Sequence, residues 1–243
     1  RPPRSTLFPY TTLFRSKLGY GETLDLWSEA MKLPLVKHLF ISSGLRYDLL
    51  IDKESEPYLR ELCKNHVSGQ LKVAPEHSVN SVLKLMNKPS FDKYDKFAKK
   101  FWDLNRELGK RQYLVNYFVS AHPGSGLKEA LGLALYLVEN RIQPEQVQDF
   151  IPLPMTVSGC MYYTGKHPLT GKDVPVSKDP VDRQMQRALL QYRQPKNRKY
   201  ILDALRRLDR PDLRKMFCVA DAPRGPRPKH QKDEEAYDEQ WEL

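Results

Sequence analysis

Long apolar runs and clustered cysteines are both missing from this chain of 243 residues. No apolar run approaches the ~20 residues that a membrane-spanning helix needs, so we expect a soluble protein without a membrane partner. The three cysteines, Cys63, Cys160 and Cys218, lie far apart, and no secretory signal is recognisable. This pattern suggests neither a disulfide framework nor a metal knuckle, and it favours a cytoplasmic location.

Glycine-rich phosphate-binding motifs are absent as well, since neither GxxxxGKS/T nor GxGxxG occurs. The glycines of HPGSG (122–126) make a tight turn whose amides could face an anion, but this is only a weak signal for a phosphate loop. We therefore predict no nucleotide-binding loop of either kind.

The first sixteen residues differ in character from the rest of the chain. They contain no acidic residue and show neither a helix cap nor the charge order of a targeting peptide. Residues 5–16 match, codon for codon, the translation of a common short-read sequencing adapter. We therefore expect residues 1–16 to be a non-native leader and the native sequence to begin near Lys17.

Positive charge is in excess, with 40 Lys and Arg against 30 Asp and Glu. Residues 183–232 hold fifteen basic and four acidic side chains, a balance of +11, so the remainder of the chain is close to neutral. The basic character therefore belongs to the C-terminal region. A clustered basic surface is one of the features of nucleic-acid-binding proteins.

Short strand-like runs alternate with helical spacing from residue 22 to residue 154. The predicted strands lie in KHLFISSG, GQLKVAPEH, RQYLVNYFVS and VQDFIPLP, and the predicted helices cover 22–31, 53–66, 78–88, 91–108 and 127–141. Strands separated by helices pair in parallel through right-handed crossovers. Four successive units predict an α/β fold that forms part of a (β/α) barrel.

Two local signals refine these helices. Ser78 or Asn80 is expected to cap the helix that Pro89 ends. The aromatic residues from Phe91 to Trp102 have helical spacing, and we interpret them as helix core rather than as a stacking platform.

The pattern changes after Pro154. A long turn-rich connection is expected first, followed by short basic helices between Val181 and Phe217. The charged and proline-rich end of the chain is expected to be disordered. The predicted organisation is a leader (1–16), a barrel part (17–163), a helical appendage (164–221) and a disordered tail (222–243).

Polar side chains follow three of the predicted strands, at the end where barrels of this kind bind ligands. Arg46 suits a carboxylate or phosphate, because its planar fork binds two oxygens at once, and a neighbouring serine can hydrogen-bond a ribose or amino group. His77 and His122 are candidates for acid–base chemistry or metal ligation, although a histidine in such a turn more often bonds a backbone carbonyl. The candidate site residues are Ser42, Ser43, Arg46, Glu76, His77, Ser120 and His122.

Five segments together resemble the latter half of the radical S-adenosylmethionine superfamily, specifically the YgiQ family. Four of them are ISSGLRYDLL, GQLKVAPEHSVNSVLKLMNKPS, YFVSAHPGSGLKEALGLALYL and VQDFIPLPMTVSGCMYYTG, and the fifth is the basic segment QRALLQYRQPKNRKYILDALRRLDRPDLRK. The resemblance covers about residues 17–220. Each short motif is modest alone, and the combination in this order is specific.

The resemblance implies a partial (β/α) barrel that holds a 4Fe–4S cluster and S-adenosylmethionine, which the cluster cleaves to a 5′-deoxyadenosyl radical. It implies that Arg46 and the two serines before it contact the methionyl or ribose part of the cofactor. It places Glu76, with His77 beside it, where a second polar contact is usual, and it places Tyr117–Gly124 near the adenine. It defines no substrate.

The cluster motif of that family, CxxxCxxC, is absent, and no pair of the three cysteines is close enough in sequence to replace it. A cluster needs thiolates, so we predict no metal ligand in this chain, and the catalytic residues stay unknown. We expect a fragment whose partner is the missing N-terminal half of the same protein and which is inactive alone.

Two other interpretations remain open. A nucleic-acid-binding module would direct the basic C-terminal helices at phosphates, and in the full-length enzyme an RNA substrate could be held there. An ordinary barrel enzyme that needs no cluster is the third interpretation. The basic residues of the second interpretation are Arg193, Lys196, Arg198, Lys199, Arg206, Arg207 and Arg210.

Overall fold

The computed structural model of the chain describes residues 19–42, 44–144 and 147–218. The predicted leader, the candidate Ser43 and the predicted disordered tail lie outside these ranges. The chain divides into two compact units, the first ending at Phe118 and the second beginning at Val119. Among the described residues, no helix combines the length and the apolar character needed to cross a membrane.

The first unit alternates helices with a parallel pair of strands. Its α-helices are α1 (Tyr20–Met31), α2 (Glu56–Glu61), α3 (Asn80–Leu85) and α4 (Phe91–Glu107), with 3-10 turns at Tyr47–Leu49 and Lys53–Ser55 and a π turn at Leu62–His66. Strand β1 (Gln70–Glu76) pairs in parallel with strand β2 (Tyr113–Ser120), and Leu71 lies opposite Leu114. These elements confirm the predicted helices and the second and third predicted strands.

The core of the first unit is built on the aromatic face of α4. Phe97, Phe101 and Leu104 recur at helical spacing and are all buried, as are Leu71 and Val73 of β1. The interpretation of the aromatic run as helix core is therefore confirmed for its buried members. Trp102 is the exception, because it lies on the outer side of α4 and is exposed.

The second unit is mainly helical. It contains α5 (Leu127–Glu139), β3 (Val147–Asp149), α6 (Val157–Thr164), α7 (Pro180–Leu190), α8 (Arg198–Arg207) and α9 (Arg214–Cys218), with 3-10 turns at Pro195–Asn197 and Pro211–Leu213. Helix α7 packs on both α5 and α8, and it buries Met185, Ala188 and Leu189. Pro180 begins α7 and the Asp179 side chain accepts a hydrogen bond from the Val181 amide, which is a favourable helix start.

The sheet is smaller than the sequence predicts. Its three described strands are arranged in the order β1–β2–β3. The predicted first strand, residues 37–44, is wrong: none of its described residues belongs to a strand, and the Ile41 amide bonds the His66 carbonyl. The isolated parallel bridge to β1 is made by the next residue, Leu45, with Val73. Phe40 is exposed, so this apolar run is not buried as a central strand would be. The composition of a short apolar run alone does not distinguish a buried strand from a segment that is not a strand. The α/β class is confirmed.

Two local predictions are corrected. The connection expected after Pro154 contains helix α6, which begins where the Thr156 hydroxyl oxygen accepts a hydrogen bond from the Gly159 amide at 3.0 Å and ends at Gly165 with φ of 67°. Thr and Gly are the usual start and stop signals, so the sequence carried this information. Helix α3 is capped by neither Ser78 nor Asn80: its N-cap is Val79.

Candidate functional site

Arg46 follows the Leu45 bridge to β1 in the first unit, and its side chain lies on the surface. The guanidinium donates two hydrogen bonds to Asp48, from Nε to Oδ1 at 2.9 Å and from Nη2 to Oδ2 at 2.8 Å. This contact lowers the pKa of the Asp48 carboxyl below its usual value. The guanidinium group of Arg46, which the sequence analysis predicted to bind a ligand, is therefore paired with a neighbouring carboxylate. Ser42, four residues earlier, is exposed.

Tyr47 is a polar residue of this region that sequence reasoning missed. It is only 4% exposed, its ring lies edge-on to Tyr94 at 5.6 Å, and its hydroxyl has no hydrogen-bond partner among the described residues. Burial, with the carboxylates of Asp48 and Glu76 nearby, raises the pKa of Tyr47 to about 12. A buried tyrosine hydroxyl normally has a partner, so this atom marks a place where a ligand could bind.

Glu76 ends β1 with a φ of 63°, a conformation that turns the chain sharply after the strand. Its Oε1 lies 2.8 Å from Nζ of Lys88, which also donates to the Ala74 carbonyl at 2.7 Å. Lys88 is the second residue that the sequence analysis did not single out, and nothing in its helical spacing predicts this contact. The two side chains together offer a carboxylate and an ammonium at the carboxyl end of β1.

His77 is buried beside this pair. Its Nδ1 accepts a hydrogen bond from the Val79 amide at 3.0 Å, which satisfies a backbone donor at the start of α3. Because Nδ1 accepts there, the neutral ring carries its proton on Nε2. His77 therefore has a structural role, in which its side chain binds the backbone of the turn.

Ser120 and His122 belong to the second unit, where both are buried. The Ser120 hydroxyl donates to Asp149 Oδ1, and Asp149 Oδ2 lies 3.1 Å from the Arg187 guanidinium. His122 Nδ1 lies 2.8 Å from the Pro123 carbonyl and Nε2 lies 2.9 Å from the Ser158 hydroxyl. Since a carbonyl only accepts, Nδ1 carries the proton of the neutral ring and Nε2 accepts from Ser158.

Gln186 of α7, fully buried, links the turn after β2 to the C-terminal helices. Its Oε1 accepts from the Ala121 amide and from the Ser125 hydroxyl, both at 3.2 Å. Its Nε2 donates to the Ser125 carbonyl at 3.2 Å and to the Ser177 hydroxyl at 2.8 Å. Ala121 has a φ of 56°, so this network holds a left-handed turn next to His122. Sequence reasoning did not single out Gln186.

The cysteines do not form a metal centre in the described part of the chain. Cys63 is fully buried, and burial raises the pKa of its thiol to about 12, so it stays protonated at neutral pH. Cys160 is exposed on α6. No three His, Cys, Asp or Glu side chains come together as possible ligands within the described ranges.

The basic C-terminal helices are partly neutralised by ion pairs. Arg206 lies 3.0 Å from Asp203, and Arg207 lies 2.6 Å from Asp182 of α7. Arg210 forms a two-pronged contact with Asp212, at distances of 2.8 to 3.2 Å. At least three of the seven basic side chains considered for phosphate binding thus already have a carboxylate partner.

Comparisons with known proteins give a consistent set of relatives of unknown function. A family model described as a domain of unknown function, DUF3362, matches residues 145–216, which include helices α6 to α8 and the start of α9. The chain is 50% identical over 194 residues to a UPF0313 protein of Methanocella arvoryzae and 50% identical over 195 residues to one of Methanosarcina acetivorans. It is 46% identical over 196 residues to a UPF0313 protein of Clostridium botulinum strain 657.

These alignments cover 80 to 81% of this chain but only 26 to 32% of the relatives. The chain therefore spans about a third or less of the length of the curated relatives that it matches. No solved structure matches the chain.

Proposed function

We propose that this chain is part of a radical S-adenosylmethionine enzyme of the YgiQ family, and that its iron–sulfur cluster is held by residues that the chain does not contain. The observation that supports the proposal most is the parallel pair β1–β2, with α3 and α4 between the strands in sequence and polar side chains at both carboxyl ends. Barrels of this architecture bind their ligands at that end. The identity to UPF0313 proteins supports the family assignment.

The residues of this chain do not fit the cluster. Three thiolates are needed in a short motif, whereas Cys63 is a buried neutral thiol and Cys160 lies far along the chain on α6. The cluster would therefore depend on a CxxxCxxC motif elsewhere in the protein. We assign no step of the reaction to the cysteines of this chain.

The first unit fits S-adenosylmethionine better than the cluster. When bound to a reduced cluster, S-adenosylmethionine supplies a 5′-deoxyadenosyl radical. The cofactor carries a carboxylate, an amine and ribose hydroxyls, and this unit offers the guanidinium of Arg46, the carboxylate of Glu76 and the unpartnered hydroxyl of Tyr47. In this proposal Arg46 exchanges its contact with Asp48 for the cofactor carboxylate, while Glu76 accepts from an amine or a hydroxyl group.

The second unit has a supporting role in the proposal. The side chains of Ser120 and His122 are held by Asp149 and Ser158, so they fix the turn after β2 against the helices that follow. Gln186 completes that support through the Ala121 amide. These residues position the turn that the family resemblance assigns to the adenine, and they need not contact the cofactor with their side chains.

The proposal is tested on the native gene. An amplicon that extends upstream from the codon for Lys17 shows which sequence precedes that residue in the gene. The protein that the complete gene encodes is then purified without oxygen and reconstituted with iron and sulfide. We expect a CxxxCxxC motif and a brown protein with the visible absorbance of a 4Fe–4S cluster. A native reading frame without that motif, or a complete protein that takes up no iron, would argue for a barrel enzyme of another kind.

A further inference from the structure

A groove with a volume of about 550 Å³ lies between the second half of α4 and the start of β2 in the first unit. It is at the amino end of β2. We call it the α4–β2 groove. The side chains that matter to the argument are Lys99, Trp102, Arg106, Lys110, Arg111 and Tyr113.

Two large aromatic side chains of the groove are open to solvent. Trp102 is 42% exposed and Tyr113 is 53% exposed, although the other aromatic residues of α4 are buried. The Trp102 ring is supported by Phe101, whose centroid lies 5.2 Å away in an edge-on arrangement. A supported but exposed aromatic face is what a planar ligand stacks on.

The charge of the groove is strongly positive. Four cations and one carboxylate line it, which gives a net charge of +3. The carboxylate, Asp103, is bonded to Lys99 at 3.2 Å and to Arg106. Lys110 and Arg111 are exposed and have no carboxylate partner among the described residues, so both are available to an anion.

The side-chain oxygens of two buried amide residues beside the groove accept no hydrogen bond from the described residues. Asn105 and Gln112 also line it and are only 3% and 5% exposed. Their nitrogens are used, since Asn105 donates to the Phe101 carbonyl at 2.9 Å and Gln112 donates to the Cys63 carbonyl at 2.7 Å. Their oxygens have no partner among the described residues. A buried acceptor without a hydrogen bond destabilises the folded protein, and a ligand N–H group that donates to it would remove this cost.

We propose that the α4–β2 groove binds single-stranded nucleic acid. The bases stack on Trp102 and Tyr113, and the phosphates contact Lys110 and Arg111. An exocyclic amino group of a base donates to the side-chain oxygen of Asn105 or Gln112. A polyanion without bases would use only the charges, and an apolar peptide would use only the aromatic faces. Aromatic platforms combined with cations are the usual means of binding single strands. This site does not depend on the proposed radical chemistry.

The test uses the 243-residue chain and a fluorescein-labelled oligoadenylate about twelve nucleotides long, within the usual range of site sizes. Binding is followed by fluorescence anisotropy at several salt concentrations. We expect Trp102→Ala to weaken binding by roughly 5- to 150-fold, the loss of about one stacked base, and Trp102→Phe to retain most of the affinity. The double variant K110A/R111A should bind more weakly and lower the slope of log affinity against log salt by about 1.4.

The matched control is the double variant R206A/R207A, which removes two arginines from α8 and leaves the groove intact. It should bind like the wild type. Wild-type affinity in both groove variants, loss of binding in the α8 variant alone, or competition by polyphosphate as strong per phosphate as that of oligoadenylate would each overturn the proposal. Circular dichroism of every variant checks that the fold is kept.

Discussion

The replacement of Gln186 by leucine is the sharpest stability test of the second unit. Leucine is close to glutamine in size but can neither accept from the Ala121 amide nor donate to Ser177, two of the contacts that the wild-type side chain makes. The amide of Ala121 is then left without a partner in a buried turn, at a cost of about 1–3 kcal/mol. The lost hydrogen bonds add to this cost and the buried apolar surface of leucine offsets part of it.

We expect a net loss of about 2 kcal/mol for Gln186→Leu. At ~2–4 °C per kcal/mol for a protein of this size, the Tm should fall by about 4–8 °C. Urea unfolding and thermal melts followed by circular dichroism measure both quantities. Gln184→Ala is the control, because Gln184 lies on the same helix, is not buried and contacts Arg187 at 3.0 Å. A Gln186→Leu variant within about 0.5 kcal/mol of this control would refute the reasoning.

Two further predictions concern Arg46 and Gly159. Arg46→Ala should raise the pKa of Asp48 toward its usual value. Because the pKa of Asp48 is lowered in the wild type, the ion pair stabilises the fold at pH values above the unfolded-state pKa of Asp48. This contribution, at most about 1 kcal/mol, is lost as the pH falls through the folded-state pKa. Urea titrations below about pH 4 should therefore show the two proteins converging, and a constant difference would contradict this. Gly159→Ala should destabilise by about 1–3 kcal/mol, since its Cβ would lie 2.3 Å from the Leu153 carbonyl oxygen. Gly21→Ala, with nothing within 4 Å, should be neutral or stabilising by up to about 1 kcal/mol in thermal melts, and equal melting temperatures for the two variants would contradict the clash.

Much of the fold follows from patterns that act within a few residues. Helix α4 is an example, because its aromatic spacing defines the buried face and Gly109, with a φ of 62°, lies just past its end. Helix α7 begins at a proline behind a capping aspartate for the same local reason. The segment 37–44 behaves differently, since whether an apolar run becomes a strand depends on a partner far away in sequence.

The candidate site was only partly predictable for a related reason. The sequence predicted Arg46 and Glu76 as site residues at the carboxyl ends of two strands, of which only β1, ending at Glu76, is present among the described residues. The partners of these side chains, Asp48 and Lys88, follow from the three-dimensional turn. His122 and Ser120 have partners 36 and 29 residues away. Long-range polar contacts of this kind leave no local period, so a single sequence does not show them.

Cleavage of S-adenosylmethionine tests the central claim most directly. The protein encoded by the native gene, reconstituted with iron and sulfide and reduced with dithionite, is incubated with the cofactor, and 5′-deoxyadenosine is measured by chromatography beside a variant in which one cysteine of the CxxxCxxC motif is serine. The proposal predicts 5′-deoxyadenosine from the wild type and none above background from the variant. A reconstituted, reduced protein that leaves S-adenosylmethionine intact, or equal release by the two proteins, would contradict the assignment to the radical enzymes.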